Sequence, residues 1–234
     1  MKISFPATCK MAVKLMRKNP LFYLLYLFFH SAFLFAFCVI IYFYSVFGVQ
    51  NLLGSWLTSI LVILGLILFV FGYTRIHVWA MTELKNSIKD PSESLSFNHW
   101  NRYPISWIGT SLNIGMFIGF TFSLAICLFI PYLVYTTFFF FQPVMIALYP
   151  NETPIVYPER VKETVVQSKD IRGYLALFNI ATTLISAGLV LAVFYLNMDS
   201  FLSIGLITII LSLNPIFKYT VGTLYFYQNW ESIE

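Results

Sequence analysis

Charge is what this chain has least of: Asp, Glu, Lys and Arg make up 10% of its 234 residues, against about 25% in an ordinary soluble domain. So thin a polar coat excludes a water-soluble globule of this size. Cysteine is also scarce. The 3 cysteines, Cys9, Cys38 and Cys127, form no CxxC and no paired framework, so structural disulfides are not implied. No polar stretch is long enough to build a nucleotide-binding or nucleic-acid-binding domain; the longest runs roughly from Thr82 to Tyr103. There is no H-E-x-x-H pair, no G-x-S-x-G elbow and no P-loop. His77 and His99 stand near Glu83, Asp90 and Glu93, but at spacings that match no zinc pattern. A membrane-surface enzyme using His77 or His99 is therefore disfavoured, and no catalytic residue, metal, cofactor or nucleic-acid partner is expected.

What the chain has in abundance is apolar side chains, 59% hydrophobic and 19% aromatic. That composition belongs in a lipid bilayer. A helix needs about 20 apolar residues to cross about 30 Å of hydrocarbon, and charge-free runs of that order cover Leu21 to Phe47, Leu52 to Thr74, Ile105 to Tyr149, Tyr174 to Met198 and Ser200 to Phe217. The third run is too long for one crossing, and Pro131 is its natural breaker, since proline lacks the amide donor and its ring clashes with the preceding turn. The expectation is an all-α, polytopic membrane helix bundle of six transmembrane helices arranged as three hairpins. It forms a single membrane domain, 1–234, with a basic segment at 1–20, spans near 21–47, 52–78, 104–128, 131–149, 173–197 and 200–227, and loops near 79–103 and 150–172. The stretch 105–149 reads either as a two-span hairpin or as a re-entrant element.

Of the 14 basic residues, five precede the first span, four lie between Arg75 and Arg102 and four between Arg160 and Arg172, leaving only Lys218. The remaining connections carry no Lys or Arg. By the positive-inside rule both termini and both long loops are cytoplasmic, so the chain reads as a multi-pass protein of the inner (cytoplasmic) cell membrane. No cleavable signal is expected, because the first apolar run is long and no A-x-A site follows it. Lys218 is expected to snorkel toward the cytoplasmic headgroups, with Tyr219, Tyr225, Tyr227 and Trp230 as an interfacial aromatic belt.

Before the first span, Lys10, Lys14, Arg17 and Lys18 fall on one face of a helix flanked by Met11, Leu15 and Met16. This segment either lies in the headgroup layer against anionic lipid or serves only as an orientation signal. In the third span Ser111, Gly115, Gly119 and Ser123 recur every four residues, a small-residue stripe for close helix packing within the chain or between copies.

Polar residues inside the oily runs are the candidate functional groups. In the first span Tyr23, Tyr26 and His30 share a helical face. Counted inward from the expected boundaries, His30 and Asn113 lie about 13 Å deep, Gln142 about 10 Å and Asn179, with Thr183 one turn further on, about 9 Å. A shared polar layer of His30, Asn113, Gln142, Asn179 and Thr183 could line a cytoplasm-facing vestibule; alternatively each side chain bonds a neighbouring helix. Asp199 is the only acid outside the cytoplasmic segments, so no buried carboxylate is expected for proton or sodium coupling.

The segment "PERVKETVVQSKDIRGYLALF", following a hairpin that ends in "VMIALYP", together with the closing "NPIFKYTVGTLYFYQNW", resembles bacterial six-span membrane proteins related to the membrane domain attached to some glycerophosphodiester phosphodiesterases. Ser168, Arg172, Gly173, Pro215 and Tyr227 carry the resemblance. It implies a helical membrane domain without a phosphodiesterase head, and it brings no catalytic residues. The functional expectation is a non-catalytic accessory or transport-associated subunit that meets a protein partner through its cytoplasmic loops. The alternative is a small permease or lipid-handling protein whose ligand enters the polar vestibule.

Overall fold

The computed structural model of the chain describes residues 4–47, 52–89, 144, 147–148, 169–196 and 199–230. Every element among these residues is an α-helix: α1 (Phe5–Lys18), α2 (Pro20–Phe47), α3 (Leu52–Lys89), α4 (Lys169–Tyr195) and α5 (Ser200–Trp230). Three of them contain stretches long and apolar enough to cross a membrane, Pro20–Ile40, Ser59–Lys89 and Ser200–Gln228, and α4 adds a shorter apolar stretch, Ile180–Tyr195. The fold is thus helical and of membrane type. The expected third span and its stripe Ser111, Gly115, Gly119 and Ser123 lie outside the described residues, as do Asn113 and Gln142.

Local chemistry explains where the helices start and stop. Asn19 ends α1: its backbone N–H and its side-chain amide both donate to Leu15 O, satisfying a carbonyl of the last turn. Pro20 follows as the first residue of α2, where its missing N–H costs nothing, and the residue before a proline is biased away from helix. The pair Asn19-Pro20 therefore sets a corner between α1 and α2. At the other end of the molecule Asp199 caps α5, its carboxylate accepting from the Phe201 amide at 2.9 Å.

Helices α2 and α3 run antiparallel in steady register. As the α2 partner moves from Ile40 through Phe33 to Tyr26, the α3 partner moves from Gly65 through Gly72 to Trp79. Two glycines spaced by seven make this crossing close: the Phe33 ring presses on Gly72 where a Cβ would stand, and Ile40 reaches within 3.0 Å of the same position at Gly65. Helix α5 runs parallel to α3, since Tyr219 meets His77 and Thr223 meets Met81. Helix α1, the Lys89 end of α3 and the Trp230 end of α5 consequently share one end of the bundle, the α1 end.

At 38 residues α3 is about 57 Å long, well beyond about 30 Å of hydrocarbon. It stays helical through Lys89, so the beginning of the stretch expected as a loop from 79 is a buried helix instead. Its contacts explain why. Val78, Trp79, Ala80, Met81 and Leu84 join α5 residues Ile216, Tyr219, Val221, Leu224 and Phe226 in one core. Lys85 Nζ donates to Ala147 O at 3.2 Å and Leu148 O at 3.0 Å, which brings residues 147–148 to the α1 end as well.

Two expectations change here. Lys218 does not snorkel outward; it is buried, as are Tyr219, Tyr225 and Tyr227. These tyrosines are packing residues of α5 and not an interfacial belt, because α1 and α3 cover that end of the helix. Nor is the α1 end free of buried carboxylate: Glu83 is 2% exposed.

Candidate functional site

On α2, three and four residues separate Tyr23, Tyr26 and His30, which places them on the face turned to α3 and α5. On α3 the same rule puts Tyr73 and His77 on one face, with Thr74 beside them. Tyr219 enters from α5. Histidines from two helices meet at a ring-centroid separation of 4.9 Å. Tyr73 packs edge-on against both, 5.0 Å from His30 and 4.3 Å from His77. Tyr219 covers His77 from the other side at 4.1 Å. Trp79 and Phe22 close the cluster toward the α1 end, where Trp79 stands edge-on to Tyr26.

The hydrogen bonding of this cluster is incomplete. Tyr26 Oη is bonded to His77 Nδ1, and Tyr73 Oη lies 3.5 Å from Tyr219 Oη, a long contact. A phenol is a good donor and a neutral imidazole nitrogen a good acceptor, which assigns the proton of that first bond to Tyr26. His77 is then the tautomer carrying its own proton on Nε2. That Nε2 has no hydrogen-bond partner, and neither do Nδ1 and Nε2 of His30. Both rings are sealed from solvent, His30 at 2% and His77 at 0% exposure. Nearby, Thr74 Oγ1 is likewise buried without a partner. Thr220 faces Tyr23; its hydroxyl donates back to Ile216 O at 2.8 Å and keeps lone pairs that can accept from the phenol. An unpaired polar group in an apolar interior costs about 1–3 kcal/mol, so the site holds polar groups that packing alone does not reward.

Of the residues expected to share a polar layer, the structure sets His30 in this cluster. Asn179 and Thr183 lie on α4, whose side chains at those positions are outside what is described. The residue that sequence reasoning left out is His77. Its place at the foot of an expected span put it with surface histidines, whereas the signal that finds it is Tyr73–His77 at i, i+4 on the face opposite Tyr26–His30. Among the described residues no group of three or more His, Cys, Asp and Glu could hold a metal ion.

The basic residues Lys10, Lys14, Arg17 and Lys18 all lie on α1 and are exposed. The opposite face, Phe5, Thr8 and Ala12, is buried against the bundle, with the Phe5 ring between Phe178 of α4 at 5.3 Å and Tyr225 of α5 at 5.9 Å.

The chain matches no family model, no curated protein and no solved structure.

Proposed function

We propose that this chain is a six-span protein of the inner cell membrane, built of three hairpins with both termini in the cytoplasm, and that it is a transport-associated protein whose working site is the His30–His77 pair. The single observation that carries the reading is the set of imidazole nitrogens buried beside one another without partners. Ionisable groups held inside a membrane bundle at such a cost mark pathways and relays more often than packing. The topology draws support from the return of residues 147–148 to the end shared by α1, Lys89 and Trp230, as an even number of crossings between 90 and 147 requires.

Imidazole is the side chain whose charge changes near neutral pH. Here a proton and the helix packing compete. Among the described residues, the titratable groups packed around the pair are Tyr26 of α2, Tyr73 of α3 and Tyr219 of α5, with Glu83 and Lys218 buried toward the α1 end. An imidazolium donates from both nitrogens, so a protonated His77 no longer accepts from Tyr26, and the bond joining α2 to α3 must be remade. Proton uptake thereby biases how α2, α3 and α5 pack, which is the two-state element that transport needs.

The test is nitrogen-15 NMR of the histidine rings in bilayers as the pH is lowered from about 8 to about 4, a range that spans the transition of an unperturbed imidazole. The expected result is that the His30 and His77 signals change together and that His30→Leu alters the His77 transition. Two rings that keep one tautomer throughout, or a His77 signal indifferent to His30→Leu, would overturn the reading.

A further inference from the structure

We propose that the outward face of α1 is a binding surface for anionic phospholipid headgroups, and that it holds the α1 end of the bundle at the membrane surface. Four observations converge on it. Lys10, Lys14, Arg17 and Lys18 are all exposed, and at 100° per residue they cluster opposite Phe5, Thr8 and Ala12, the face buried on the bundle. No acidic residue stands in the first turn of α1, and Arg17 and Lys18 occupy its last turn, where they complement the helix dipole. Met11 and Val13, 38% and 39% exposed, border the basic face on its two sides. Finally, α1 turns directly through Asn19 into α2, whose first outward residues, Leu21 at 70% exposed and Leu24 at 61%, are the lipid-facing start of a membrane-crossing helix.

These features fix both the level and the chemistry of the occupant. A helix joined by one residue to the start of a membrane-crossing helix lies at headgroup depth. A helix clamped by Phe5 between α4 and α5 cannot rotate its basic face away, so the cations point outward from the bundle into that layer. Long Lys and Arg stems reach phosphates while Met11 and Val13 sit at the acyl boundary. Each basic residue near an anionic surface strengthens attraction by about a factor of five at low salt. This surface is separate from the His30–His77 pair and does not depend on the reading given for that pair.

The experiment uses the full chain in nanodiscs containing spin-labelled phosphatidylglycerol or spin-labelled phosphatidylcholine, with the motionally restricted lipid fraction read by electron spin resonance. Wild type is expected to retain the anionic label in preference to the zwitterionic one, and to lose that preference in high salt. Lys10→Gln/Lys14→Gln is the variant of choice, because Lys2, Arg17 and Lys18 remain to keep the chain's orientation. It is expected to reduce the preference several-fold. Alkylation of Cys9, on the half-buried flank of α1, reports whether α1 stays docked, and its rate is expected to be unchanged in the variant. Equal retention of both labels by wild type would overturn the proposal, as would an undiminished preference in the variant with Cys9 still slow to react.

Discussion

The two halves of this bundle are made of similar residues and held together in different ways. In the half near α1, the segments Ile76–Leu84 of α3 and Ile216–Tyr227 of α5 are buried almost without a break, and polar groups are enclosed among the aromatics. In the far half, Trp56, Ile60, Leu64 and Leu68 of α3, Leu184 and Leu191 of α4 and Leu196 just beyond it stand largely exposed. In water such a surface would drive aggregation. In lipid it costs nothing, because acyl chains are as apolar as leucine. Hydrophobicity therefore keeps the far half in the membrane, whereas shape and hydrogen bonding decide which helices meet in the α1 half. One consequence is that the same truncation of a large apolar side chain should have opposite weight in the two halves.

Trp79→Ala offers the largest contrast. Trp79 is 1% exposed and packs on Phe22 and Tyr26, and emptying such a site typically costs about 3–5 kcal/mol. Equilibrium unfolding in mild detergent should show it as the largest loss of the series. Tyr26→Phe comes next. It removes only a hydroxyl, but leaves His77 Nδ1 buried and unpaired, for an expected loss of about 1–3 kcal/mol; a change below the error of the melt would mean that the bond contributes nothing.

A smaller, local effect is expected of Phe5→Ala, which releases α1 from Phe178 and Tyr225. Burial pushes the Cys9 thiol above its ordinary range, so at mildly alkaline pH less of it is thiolate than in a free cysteine and its alkylation is slow. Undocking α1 lowers that value again, and the rate should rise, with a drop in melting midpoint smaller than that of Trp79→Ala. An unchanged rate would show that Cys9 is shielded by something other than the docked helix. Least of all should follow from Leu64→Ala, at a position 49% exposed in the far half. Its expected cost is within about 0.5 kcal/mol, and a loss comparable to that of Trp79→Ala would erase the distinction between the halves.

Much of the membrane character was legible in the chain, because apolar runs and the near absence of charge are properties of composition. The face shared by Tyr26 and His30 was legible too, since it follows from helical periodicity within one segment. Partners across helices were not. Nothing local says that His77 stands against His30, and a boundary drawn at the last apolar residue before charged neighbours left it at the water interface. Gly65 and Gly72 went unnoticed because their spacing is seven and the small-residue template is four, although both spacings return to nearly the same helical face. Tyr219, Tyr225 and Tyr227 follow a lysine near the end of a span, which is how an interfacial belt reads; only the arrival of α1 and α3 over them makes them core.

The account's central claim is that His30 is kept in the bundle at a cost to stability. Thermal unfolding of His30→Leu beside wild type in the same mild detergent tests it most directly. Because neither ring nitrogen of His30 has a partner, an apolar side chain of similar size should leave the midpoint equal or raise it. A clearly lower midpoint would show that the imidazole is a satisfied packing residue and would contradict the claim.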